Sequence, residues 1–314
     1  TEFAYDVQLR APQFLLPFGK KINRQEIAPQ TIFRLGSAVQ ENIGLDKQSL
    51  TGAIQYQWSP KQNKRWTFSL VDVEFVNNKN KNNYFGVYTN AFGELNDIAR
   101  NTNTNPSYFL NNTLIIPQGA QSFIADVMDG ETDLTPSNDS YNRVQRIEER
   151  RSRLTQNNLI FSSSLQFFNS SKTGVFDKSF SQFRANLSWS GNLLQMLAKQ
   201  FNWGKSNGQY LLFDVPFSQF IKLESDIVKH WAITQNHVFA VRAFAGAAIP
   251  YGNADNIPFN RSFFAGGAYD NRAWEVYRLG PGSSNTGNEF NEANLKLAFN
   301  AEYRFDLLGA FKGA

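Results

Sequence analysis

The segment 293–306 alternates almost without error. Its odd positions are Ala293, Leu295, Leu297, Phe299, Ala301, Tyr303 and Phe305, and its even positions are Asn294, Lys296, Ala298, Asn300, Glu302, Arg304 and Asp306. A two-residue period held this long places all the apolar side chains on one face of a strand, whereas a helix would scatter them around its axis. The same alternation marks Phe3, Tyr5, Val7 and Leu9, then Leu50, Ile54, Tyr56 and Trp58, then Phe183, Ala185, Leu187 and Trp189. Further strands are expected at 31–40, 66–76, 159–168, 217–228 and 237–249, nine in all. Within 66–76 the apolar parity slips from Trp66, Phe68 and Leu70 to Val71, Val73 and Phe75, as a β-bulge would make it do.

Two all-β architectures present such strands. One is a soluble antiparallel sandwich with a solvated outer face. The other is a membrane barrel whose apolar positions meet lipid and whose charged positions (Asp72, Glu74, Lys222, Glu224, Asp226, Arg242, Lys296, Glu302 and Arg304) meet water. Strand length favours the barrel, because a tilted crossing needs about 9–11 residues. Aromatics make up 15% of the chain, and Trp58, Trp66, Trp189 and Trp231 fall near strand ends, where interfacial girdles sit. No apolar run approaches the roughly 20 residues of a spanning helix.

The connections give a second indication, since such barrels alternate short turns with long outer loops. Segments 59–65 and 229–236 are tight, 40–48 is moderate, and 77–157, 190–216 and 250–292 are long. The link 11–30, with Pro12, Pro17 and Pro29, breaks the rule. Within 77–157 a short helix is expected at 91–99 and another over the charged run 143–153, where Glu148 and Glu149 stand beside Arg150, Arg151 and Arg153. That run reads as a solvated helix face in preference to a lipopolysaccharide or nucleic-acid contact.

Catalytic chemistry has little to work with. Two His and no Cys remove Cys–His zinc sites, thiol nucleophiles and disulfides. His230 and His237 flank a turn without Ser or Asp at a triad's spacing. Glu224 and Asp226 project from one face of a strand, where pairing with neighbouring Lys and Arg is the simpler role than acid–base work. The net charge of +4 is spread along the chain, which argues against nucleic acid. The chain is therefore expected to be no enzyme and to hold no metal or cofactor.

One segment exceeds what a generic barrel requires: Phe263-Phe264-Ala265-Gly266-Gly267-Ala268-Tyr269-Asp270-Asn271-Arg272-Ala273-Trp274, then Leu279-Gly280-Pro281-Gly282. Its glycine density suits a loop folded tightly back. It resembles the lumenal loop of the outer-membrane assembly-factor superfamily, the BamA/TamA family, and is most similar to the TamA-like TamL proteins of Bacteroidetes. The pieces 14–18 (FLLPF), 248–253 (AIPYGN) and 302–305 (EYRF) agree with that resemblance, while Ala273 stands where many members have Gly.

The resemblance implies a transmembrane antiparallel β-barrel of the bacterial outer membrane, with about 16 strands in the full protein. Residues 1–314 would be an incomplete barrel domain, without first and last strands or periplasmic POTRA domains. The insertion 77–157 would be extracellular and the loop 250–292 lumenal. The implied function is assembly, insertion or translocation of outer-membrane or surface proteins, with a passive porin or a two-partner-type secretion pore as alternatives. Implied partners are outer-membrane lipids and lipopolysaccharide, client proteins, and a periplasmic or inner-membrane protein reached through POTRA domains. Within the loop, Arg272 is expected to enter the lumen and lock onto Glu302, with Trp274 packed on the barrel wall.

Overall fold

The computed structural model describes residues 2–15, 27–42, 45–206, 208–268, 270–275, 279, 292–306 and 312–313. All nine expected strands form: β1 Glu2–Ala11, β2 Gln30–Asn42, β3 Leu45–Lys61, β4 Lys64–Asn78, β5 Asn158–Ser170, β6 Phe180–Ser190, β7 Phe220–Ala232, β8 His237–Pro250 and β9 Leu295–Asp306. With the short strand β10, Lys312–Gly313, they make one ten-stranded antiparallel sheet. Its strands lie in sequence order, each beside its predecessor. β7 starts three residues later than its apolar pattern suggests, because Phe217 leaves the sheet line to bridge Leu159 and is buried there.

The parity slip is a bulge. Ile54 faces Val71 and Gln55 faces Ser69, so Leu70 has no partner on β3. On the other side Ser69 faces Ser164 and Asp72 faces Ser162. The Ser163 hydroxyl fills the gap, donating to the Leu70 carbonyl at 2.8 Å. Beyond the bulge the apolar and polar faces of β4 stay in step with those of its neighbours.

Register aligns the two faces across the sheet. One face carries Tyr5, Val7, Leu35, Leu50, Leu223, Ile227, Ile249, Leu297 and Phe299, all exposed, with Leu297 at 74%. The other carries the charges, paired among themselves. Arg242 holds Asp226 through two hydrogen bonds of 2.9 and 3.1 Å, and Glu224 takes Lys222 at 3.1 Å and Asn186 at 3.0 Å. This is the pairing expected of Glu224 and Asp226 from their shared face.

The long connections, after β4, β6 and β8, all emerge at the same end of the sheet, while those after β3, β5 and β7 are short and lie at the other. The 77–157 insertion folds into α1 Tyr84–Val87, α2 Thr89–Arg100, α3 Gln118–Asp129 and α4 Asp139–Thr155. It seals its own core around Tyr84, Phe85, Leu95, Phe123, Val127 and Val144. Its entry and exit are tied together, Asn78 donating from its backbone to Asn157 Oδ1 at 3.0 Å and from its side chain to the Gln156 carbonyl at 2.7 Å. After β6 a fifth helix, α5 Asn192–Gln200, precedes β7.

Candidate functional site

The glycine-rich loop is bound to the polar face of β8 and β9. Its foothold is Phe263, buried with Ile160, Phe220, Ala248 and Ile257. The ring lies where β8 lacks a side chain: a Cβ on Gly246 would stand 2.5 Å from Phe263 Cζ. Phe263–Phe264 then pairs with Glu292–Ala293, closing the base of the loop as a two-stranded ribbon.

Past Phe264 the chain reverses at Gly266 and Gly267, with φ of +99° and +97°. A Cβ on Gly266 would approach the Glu275 carbonyl oxygen to 2.2 Å. The turn is fastened by Gly267 N–H to the Trp274 carbonyl at 2.8 Å and by Gly266 N–H to the Asp270 carboxylate at 3.0 Å. Asp270 also fixes the loop to the sheet. Its carboxylate meets Lys296 Nζ at 3.0 Å, its carbonyl accepts from Asn300 Nδ2 at 3.2 Å, and Lys296 donates to the Phe264 carbonyl at 2.7 Å. Gly266→Ala therefore combines a left-handed φ with a backbone collision, and is expected to destabilise the loop by more than about 1 kcal/mol. Faster amide exchange across 264–275, with β8 and β9 unchanged, would register it.

Arg272 and Glu302 are brought together, Nη2 to Oε2, at 3.7 Å. The arginine side chain is nonetheless 73% exposed. Glu302 is also engaged by Arg304 on the same face of β9, and the loop's turn itself is held by Asp270. Asn271 and Ala273 are exposed, and the only positive φ values among the described loop residues from 263 to 275 fall on Gly266 and Gly267, so Ala273 meets no steric objection. Trp274 is half-exposed, not packed into the wall, and contributes its carbonyl to the turn. Leu279 is half-buried, while Gly280, Pro281 and Gly282 lie outside the described residues. Arg272→Ala is accordingly expected to shift loop stability by no more than about 1 kcal/mol. Asp270→Ala, which leaves the Gly266 N–H without its acceptor and Lys296 with only the Phe264 carbonyl, should cost more in the same exchange measurement.

The far end of the loop is held by the insertion. Glu292, almost buried, accepts from Arg153 at 2.9 Å and lies 4.0 Å from Arg150. Arg153 also reaches the Ile257 carbonyl and the Ser262 hydroxyl, each at 3.1 Å. Arg261 pairs with Glu74 of β4 at 2.7 Å. This corrects the reading of 143–153 as a solvated face. The outer turns of α4 do carry solvent-type pairs, such as Arg143 with Asp139, but its last turns are turned inward because Glu292 offers a carboxylate that needs a partner. Asp270, Phe263, Gly246 and Glu292 were not singled out in the sequence. The small residues Ala240, Gly246 and Ala248 on the polar parity of β8 were the visible sign that something packs there.

Long meandering antiparallel strands, a bare apolar face and a polar face overlaid by a glycine-turned loop are the architecture of a membrane β-barrel. Residues 5–313 match the Omp85 superfamily domain, and the chain belongs to that superfamily. A solved structure, BamA from Haemophilus ducreyi lacking POTRA domains 1–3, aligns with a TM-score of 0.49 at 9% identity, covering 89% of this chain and 39% of that one. No curated protein matches the sequence. No helix among the described residues is long and apolar enough to cross a membrane, which leaves crossing by strands untouched.

Proposed function

We propose that the protein takes part in the insertion or translocation of outer-membrane or surface proteins, in the manner of the TamA-like TamL proteins of Bacteroidetes. It acts without catalytic chemistry, with 77–157 extracellular and 250–292 lumenal in a barrel to which residues 1–314 contribute an incomplete set of strands. Its partners are client outer-membrane proteins, the surrounding lipids and lipopolysaccharide, and a periplasmic or inner-membrane protein met through POTRA domains. The observation that carries this reading is the loop fixed on the polar face by Phe263 and Asp270, in a chain of the Omp85 superfamily.

Depletion of the protein in its native cell, followed by quantitative analysis of the outer membrane, tests the proposal. The expected result is loss of a subset of barrel or surface proteins, and the purified full-length protein should conduct only small, flickering currents. An unchanged outer-membrane protein content together with large, steady conductance would identify a porin instead.

A further inference from the structure

The connection after β6 does not rise straight off the sheet. At Gly191, with φ of +78° and a Cβ position 2.6 Å from the Ser218 carbonyl oxygen, the chain turns sharply and α5 begins. Leu194 and Ala198 of α5 are buried in one cluster with Leu159, Val215 and Phe217. Leu159 belongs to the apolar face: it faces Phe75 of β4, which faces Leu50 of β3, exposed on that face. The helix and the hairpin after it therefore lean on the apolar side of the sheet, the hairpin also being tied at Tyr210 to Asn253 at the start of the 250–292 loop.

What α5 presents outward is apolar again. Leu193 and Met196, one turn apart on the same helix face, are exposed, Met196 at 60%, and Phe201 follows. The hairpin of Gln209–Leu212 with Val215–Pro216 carries Phe213 at its two-residue tip, 87% exposed. Phe213 and Asp214 both hold positive φ there, +53° and +59°, a turn that usually selects Asn and Gly. Alongside runs the top row of the sheet's apolar face, Trp189 facing Ile221 and Ile221 facing Ile249. From Ser190 to the tip the charged residues are Lys199, Lys205 and, at the tip itself, Asp214, all exposed and so able to stay at headgroup level.

We propose that α5 and the Phe213 tip are an in-plane membrane anchor, seated at the headgroup–acyl boundary as an extension of the sheet's apolar band. The partner is the lipid surface of the leaflet at the long-loop end. Leu193, Met196, Phe201 and Phe213 dip about 5–10 Å below the headgroups, as amphipathic interfacial helices do. Lys199 and Lys205 sit at headgroup level, where anionic phosphates offset their charge. The inference rests on the outer-membrane reading of the fold, since without a bilayer the same patch would lie bare in water.

The chain has no cysteine, so single-site spin labels test it directly. Labels at Met196→Cys, Phe213→Cys, Leu297→Cys and Ser137→Cys are placed in the full protein, reconstituted in vesicles containing anionic lipid. Collision with oxygen is then compared with collision with a water-soluble nickel chelate. The expected pattern is that Met196→Cys and Phe213→Cys lose contact with the chelate as Leu297→Cys does, while Ser137→Cys on the insertion keeps it. If Leu297→Cys is lipidic but both the 196 and 213 labels collide with the chelate as freely as Ser137→Cys, the anchor is refuted and the patch belongs to a protein partner or to water. If Leu297→Cys itself is aqueous, the outer-membrane reading fails and the anchor falls with it.

Discussion

Phe263→Ala is expected to free the glycine-rich loop from the sheet, at a cost of about 3–5 kcal/mol. The ring is almost completely buried, and the pocket that holds it is made by the absence of a side chain at Gly246 and by Ala248 beside it. Truncation leaves a void that β8 cannot collapse into, because its backbone is hydrogen-bonded on both sides to β7 and β9. Hydrogen exchange should report the loss as deprotection of 264–275 while β7 to β9 keep their protection. Gly246→Leu offers the converse test, filling the ring's place from the other side and displacing the loop without removing Phe263. Protection of the loop unaltered by either substitution would mean that the polar contacts of Asp270 hold it alone.

The second large effect belongs to the opposite face. Phe299 lies halfway along the sheet, facing Ala243 of β8, which in turn faces Ile227 of β7. Its ring projects into what the fold assigns to hydrocarbon. Phe299→Arg should therefore cost about 2–4 kcal/mol in a denaturant titration of the protein folded into vesicles. Gln182→Arg, on the polar face opposite Val228, should change little. Equal costs for the two would show that both faces meet the same solvent, which the barrel forbids. Gel migration before and after boiling gives a coarser reading of the same difference.

The strands were legible because a two-residue period is a local property, written residue by residue in the chain. Even the irregularity at Leu70 could be read, since a bulge moves every later apolar side chain to the other parity. The two-sided chemistry followed from the same count: Lys296, Asn300 and Glu302 all meet the loop from the polar face of β9. Contacts made between distant segments were not legible. Nothing local to Arg153 announces that it will serve Glu292, 139 residues away, instead of solvent. Nor does the sequence say that Asp270, two residues before the arginine that drew attention, holds the turn. A carboxylate reaching back to a glycine N–H depends on the turn it helps to create. The position of α5 was missed for a related reason: its apolar residues on both sides resemble an ordinary buried segment until the sheet shows which side is covered.

The neck between Asn78 and Asn157 bears on how the sheet closes around so large an excursion. A free chain spanning β4 to β5 would carry a closure entropy that grows with its length, by about 0.6 kcal/mol for each doubling. Here the two stems are already fastened to each other, and the helices beyond them bury their own apolar surface. Seen from β4 and β5, the insertion behaves as a tight hairpin, whatever lies above it. The helices are in that sense interchangeable cargo: other sequences of other lengths, grafted between the same two asparagines, would leave the strands below in register, at the loss of the contacts α4 and the insertion's core make with Ile257, Phe259, Ser262 and Glu292.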